Sequence, residues 1–179
     1  MSRTVPLILL FALVAVVTAP PPVGASDWPM LQGNPARTGY TDDTVQLPAK
    51  VLWQYDAKEE QVSRHVQAII SNGRAYLPTH AGNLHCVNAD TGKLMWKYNV
   101  GSPIMHSPAC GDGLVVVGCY GRAVVALSAE GKQVWRTPTR GPVWASPLIY
   151  KSKVFIGDRL GVFYALDLRT GEVLWTYDV

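Results

Sequence analysis

The sequence predicts an all-β fold: tandem four-stranded antiparallel blades of a β-propeller, about three of them, in an open or incomplete ring. Three observations carry that prediction. Trp96, Trp135 and Trp175 recur at steps of 39 and 40 residues. Each repeat holds four short apolar runs separated by turn residues. No stretch after the N-terminal segment sustains the 3.6-residue apolar period of an amphipathic helix. Four strands in about forty residues is the arithmetic of a propeller blade, and blades bury their faces only by stacking on one another.

The composition is that of one ordinary folded domain, with 48% hydrophobic and 16% charged residues among 179. A formal charge of +3 from 16 basic and 13 acidic residues is too balanced for an electrostatic nucleic-acid binder. Three cysteines are too few for a disulfide scaffold and lack metal-site spacing.

Met1 to Ala25 reads as a secretory signal. Arg3 precedes the apolar run Leu7 to Val17, and Val23-Gly24-Ala25 offers a small-residue cleavage site near Ala25. The run is shorter than the roughly 20 residues of a spanning helix, so the mature chain is expected to carry no membrane span and to be secreted or periplasmic. Residues 26–50 form an N-terminal segment, and 51–179 the partial propeller. A leading strand is expected around Val51 to Tyr55. Blade repeats follow at about 66–98, 106–137 and 145–177. Each repeat opens with Gln67-Ala68, Ser107-Pro108 or Ser146-Pro147, then turns at Asn72-Gly73, Asp112-Gly113 or Lys151-Ser152. The second strands follow at 75–77, 114–117 and 154–156, and the third at 84–88, 124–128 and 163–167. A turn holding Gly92, Gly131 or Gly171 leads to the strand that ends in the Trp.

In Ala165-Leu-Asp167-Leu-Arg-Thr170-Gly171-Glu-Val-Leu-Trp175, Asp167 can cap the turn through its side chain and Gly171 supplies a positive φ. The segment from Cys86 to Trp96 repeats the plan, as does that from Ala126 to Trp135 with one residue fewer. The pattern A-x-[DN]-x-x-T-G-x-x-x-W resembles the tryptophan-docking repeat of quinoprotein alcohol dehydrogenase-like (PQQ-repeat) β-propellers. The segment Trp28-Pro29-Met30 with Gly33-Asn34-Pro35 and Thr38-Gly39 is similar to the opening of many exported members. The resemblance implies that each indole docks between the Ala position of its own motif and the turn Gly of the next. Trp53 would then face Gly92, Trp96 would lie between Cys86 and Gly131, and Trp135 between Ala126 and Gly171. Trp175 has Ala165 but no following motif, so the chain is expected either to be part of a longer reading frame or to pair its open blade edge with another chain.

The loops expected on one face present Arg64, His65, His80, Met105, His106, Arg140, Trp144, Asp158 and Arg159. Of these His65, His80, His106, Trp144, Asp158 and Arg159 are candidates for a binding face. The three histidines follow only the repeat spacing, and solvated loop histidines are expected rather than a metal site; His85 is expected in a packed or edge position. With Asp112-Gly113 as the turn, Cys110 opposes Val115 and Cys119 opposes His106, which separates the sulfurs beyond bridging distance. No disulfide is expected.

The resemblance would allow pyrroloquinoline quinone and calcium. Dehydrogenases of that family use adjacent cysteines, a catalytic Asp and calcium-binding carboxylates, whereas the expected inner strands here carry Gln67, Ser107 and Ser146 and no carboxylate. No catalytic residue, cofactor or metal is therefore assigned. The function expected is a non-catalytic exported module that binds or scaffolds protein, similar to the outer-membrane-protein assembly factor B type, through a protein partner or self-association at the blade edge. The alternatives are the N-terminal part of a quinone-dependent dehydrogenase, or a truncated product without a role of its own.

Overall fold

The computed structural model describes residues 26–44, 47–57 and 59–179. The expected signal, residues 1–25, lies outside them. Twelve strands form three four-stranded antiparallel sheets in sequential order, and no helix occurs among the described residues. The first blade holds β1 (Ile69–Ser71), β2 (Arg74–Pro78), β3 (Asn83–Asn88) and β4 (Leu94–Asn99). The second holds β5 (Ala109–Gly111), β6 (Leu114–Cys119), β7 (Ala123–Ser128) and β8 (Gln133–Pro138). The third holds β9 (Leu148–Tyr150), β10 (Lys153–Gly157), β11 (Val162–Asp167) and β12 (Val173–Asp178). The short inner strands β1, β5 and β9 touch in series. The sheets form an unclosed arc of three blades.

Strand pairing follows the turns. Asn72-Gly73, Asp112-Gly113 and Lys151-Ser152 all have both residues at positive φ, the two-residue hairpin geometry that matches strand twist. Cys110 faces Val115 across the second hairpin, while Cys119 lies beyond β5 and pairs with Ala123 of β7. All three cysteines are free and buried.

The core lies between blades rather than within one. One cluster joins Ile69, Tyr76, Leu84 and Cys86 of the first blade to Val115, Val117, Val125 and Leu127 of the second. The other joins Val116, Val124, Ala126 and Trp135 of the second blade to Val154, Ile156, Tyr164 and Leu166 of the third. Alternate residues of β6 and β7 therefore serve opposite seams, because side chains of a strand point alternately to its two faces. A blade covered on both faces must be apolar at every position, which is why Val115-Val116-Val117 runs without a polar break.

Two expectations need correction. The inner strands begin two residues after the Gln67, Ser107 and Ser146 positions, where the chain is still entering the blade. Residues 51–55 form no ladder. They pair with no strand among the described residues, and Trp53 fixes the segment through its side chain.

The N-terminal segment crosses the inner edges of all three blades. Trp28 exchanges two main-chain hydrogen bonds with Ile70, and Pro29 O accepts from Cys110 N. Arg37 Nη2 donates to Ser146 O at 3.4 Å, and Met30 is buried in the core between the second and third blades.

Candidate functional site

At each seam an indole lies on a glycine. A Cβ added to Gly92 would come within 2.6 Å of Trp53, one on Gly131 within 2.6 Å of Trp96, and one on Gly171 within 2.5 Å of Trp135. Only hydrogen fits there, and each of these glycines also has φ near +70 to +80°. The opposite face of the ring meets its own blade, where Cys86 pairs with Trp96, Ala126 with Trp135 and Ala165 with Trp175. The indole N–H then donates across the seam: Trp53 to Ala89 O at 2.9 Å, Trp96 to Ala129 O at 2.8 Å and Trp135 to Leu168 O at 2.9 Å. This acceptor is a main-chain group, invisible to residue type. Trp175 is 46% exposed, and its ring meets those of Phe155 and Phe163 in its own blade.

The loops at the other end of the strands, 79–82, 100–108, 120–122, 139–147 and 158–161, make the top face. Main-chain bonds lock them to one another. Tyr120 N donates to Pro103 O, Thr139 N to Arg122 O, Val143 N to Cys119 O and Arg159 N to Pro142 O. His65 and His106 stack with ring centroids 5.4 Å apart. Burial and the neighbouring imidazole hold His106 below the usual histidine range. His80 contributes no third member, and among the described residues no group of three or more His, Cys, Asp or Glu side chains could hold a metal ion. Trp144 carries the guanidinium of Arg159 on its ring at 4.3 Å and meets Tyr120 edge-on.

Asp158 turns inward. Its carboxylate accepts from Gly141 N, Leu160 N, Val162 N and the Tyr164 hydroxyl at 2.7–3.1 Å. Burial works against its charge, but those donors outweigh burial and keep its pKa below the usual carboxylate range. It braces the third blade's top loops.

Glu60 and Tyr55 join His85 in a network that residue spacing did not reveal. Tyr55 Oη lies 2.7 Å from His85 Nδ1, and Glu60 Oε2 lies 2.8 Å from His85 Nε2. Asn83 Nδ2, Thr79 Oγ1 and Lys97 Nζ also donate to the Glu60 carboxylate. Burial disfavours the charged form, yet these donors hold Glu60 at about 2. His85 is 3% exposed, and with Glu60 on Nε2 its Nδ1 suits accepting from the phenol. The network ties the leading segment to the first blade. Burial and the Glu60 charge raise the Tyr55 phenol.

A cleft of about 550 Å³ opens between the N-terminal segment and the third blade, lined in part by Leu31, Arg37, His106, Trp144, Phe155 and Phe163. Leu148, Phe155 and Phe163 there occupy the positions at which Ala109, Val116 and Val124 of the second blade meet the third. The cleft wall is therefore a blade-to-blade surface.

The chain is similar to proteins of two kinds. Residues 104–179 match the profile of the outer membrane protein assembly factor BamB. BamB from Burkholderia pseudomallei is 28% identical over 57% of this chain and 27% of its own length. Quinoprotein ethanol dehydrogenase from Pseudomonas aeruginosa is 32% identical over 79% of this chain and 27% of its own. The crystal structure of BamB from Moraxella catarrhalis superposes with a TM-score of 0.64 at 29% identity, covering 72% of this chain and 40% of that one. Quinohemoprotein alcohol dehydrogenase from Comamonas testosteroni superposes with a TM-score of 0.71 at 22% identity, over 84% of this chain and 27% of that one, a likeness of fold. The chain thus spans about a quarter to two-fifths of the length of the relatives it matches. Its three blades, joined by indole-on-glycine seams, are similar to blades of BamB and of the quinoprotein alcohol dehydrogenases.

Proposed function

We propose that this chain is an exported, non-catalytic propeller module that binds and scaffolds protein. The lining of the propeller axis carries the reading. The inner strands β1, β5 and β9 contribute Ile69-Ile70-Ser71, Ala109-Cys110-Gly111 and Leu148-Ile149-Tyr150, with no carboxylate among them. Trp28 and Pro29 bond along that edge. Calcium seeks six to eight oxygen ligands, several from carboxylates or amides, and these residues do not fit it or the quinone it would anchor. The likeness of residues 104–179 to BamB supports protein binding, and the Arg3-led apolar N-terminus supports export. No helix among the described residues is long and apolar enough to cross a membrane.

The second reading is a part of a quinone-dependent dehydrogenase, favoured by matches to such enzymes over 79% and 84% of the chain. Titrating the full chain with pyrroloquinoline quinone and calcium separates the two. The scaffold reading expects no saturable heat of binding and no quinone-dependent dye reduction. Stoichiometric uptake with dye reduction would overturn it, and recovery of the tagged chain in the cytosol would remove export.

A further inference from the structure

We infer that the top of the seam between the second and third blades is a docking surface for an acidic polypeptide segment, in which carboxylates flank an aromatic or aliphatic side chain. The inference rests on the protein-binding reading above and gives it a place and a chemistry.

Three loops build the surface. The first supplies Tyr120 and Arg122, the second Trp144 and the third Arg159 and Leu160. Tyr120, Trp144 and Leu160 are 49%, 38% and 66% exposed, a large apolar contribution for loops that ought to be polar. Leu160 lies over Gly141, where a Cβ would come within 2.8 Å of its Cγ. Main-chain bonds from Thr139 to Arg122, from Val143 to Cys119 and from Arg159 to Pro142 hold the loops in one arrangement. A partner therefore meets a preformed surface, with little ordering cost on binding.

The charge on that surface is one-sided. Arg122 and Arg159 have no carboxylate partner among the described residues. Arg140 pairs with Asp178 across an exposed 2.7 Å contact. Asp158, the carboxylate within these loops, is consumed by four internal donors. What faces outward is guanidinium and aromatic ring. The Arg159 guanidinium is stacked at 4.3 Å on Trp144, which fixes its plane and leaves its N–H edge for a carboxylate. The exposed parts of Tyr120, Trp144 and Leu160 offer apolar contact beside it for an aromatic or aliphatic side chain, the kind of aromatic and Arg anchor that dominates interfaces.

An anionic bilayer is less well matched. Recognition of lipid surfaces uses clusters of about 4–8 basic residues, more than this patch holds. Nucleic acid would need a broader basic stripe than a chain of formal charge +3 displays.

The test is fluorescence anisotropy with the full chain and a labelled peptide of repeated Glu-Phe-Glu, against a Lys-Phe-Lys peptide and phosphatidylglycerol vesicles. The acidic peptide should bind, weaken as salt rises, and lose at least about tenfold in affinity with Arg159→Gln or Trp144→Ala. Arg169→Gln, an equal charge change at the opposite end of the third blade, should leave binding unaltered. Equal binding of both peptides, insensitivity to Arg159→Gln, no binding, or binding to vesicles alone would overturn the inference. A far-ultraviolet circular dichroism spectrum identical to wild type is required of each variant, and Arg159→Lys, which keeps the charge but loses the planar stack, should give an intermediate loss. Envelope proteins that cross-link elsewhere on the chain would leave the scaffold reading standing while this surface failed.

Discussion

Lys151 and Ser152 turn the first hairpin of the third blade with φ of 47° and 53°, in a region where a side chain is strained. The first two blades use Asn72-Gly73 and Asp112-Gly113 at the same place. Ser152→Gly should therefore stabilise the chain by roughly 0.5–1 kcal/mol, read from the midpoint of urea unfolding; no gain would mean the turn tolerates its φ. Glu60 sets the other prediction at this scale. Its folded pKa of about 2 lies below the ordinary glutamate value of 4.5. The stabilisation it supplies is complete above the unfolded value and is lost as pH falls from there towards 2. Glu60→Gln should cost about 1–3 kcal/mol at neutral pH and flatten the acid limb of stability between pH 4.5 and 2. An unchanged limb would show that the carboxylate is not held as the distances indicate.

At the scale of the element, each outer strand carries a bulge at one repeated place. Cys86 faces Trp96 but Val87 faces Leu94, and the shift recurs at Ala126/Leu127 and Ala165/Leu166. The extra residues, Met95, Val134 and Leu174, are 47%, 48% and 43% exposed. A bulge re-aims the side chain beside it, here swinging the indole onto the next blade's glycine. Deleting Val134 should reverse the facing of Trp135 and abolish cooperative unfolding, whereas Val134→Ser should change stability by no more than about 0.5 kcal/mol. Trp135→Ala should cost about 3–5 kcal/mol as a buried aromatic truncation, and Trp175→Ala much less, since its ring is half-exposed; equal costs in urea unfolding would undo the seam description. The turns and strands of each blade were legible because Gly, Asn-Gly and the spaced Trp residues report local backbone requirements. The bulge was not, because an extra Val or Met looks like one more apolar strand residue. The Glu60–His85–Tyr55 network was hidden for a different reason: Tyr55 and Glu60 precede the first repeat and meet His85 only in three dimensions. Asp158 was read as a candidate for the binding face, because the donors that turn it inward are mainly backbone amides.

Across the whole molecule, the buried core lies in the seams between blades, and the proposed binding face is held by main-chain bonds among the top loops. The N-terminal segment adds a third connection, since Trp28, Pro29, Met30 and Arg37 touch the inner edges of all three blades. Such an arrangement suits the rigid platform proposed above. The most direct measurement is site-specific photo-cross-linking of the full chain in the cell envelope, with the cross-linker placed at Leu160 on the top face or at Arg169 on the opposite end. A discrete protein adduct from position 160 and none from 169 is the predicted result. Adducts from 169 alone, or none from either position, would contradict a top-face protein scaffold.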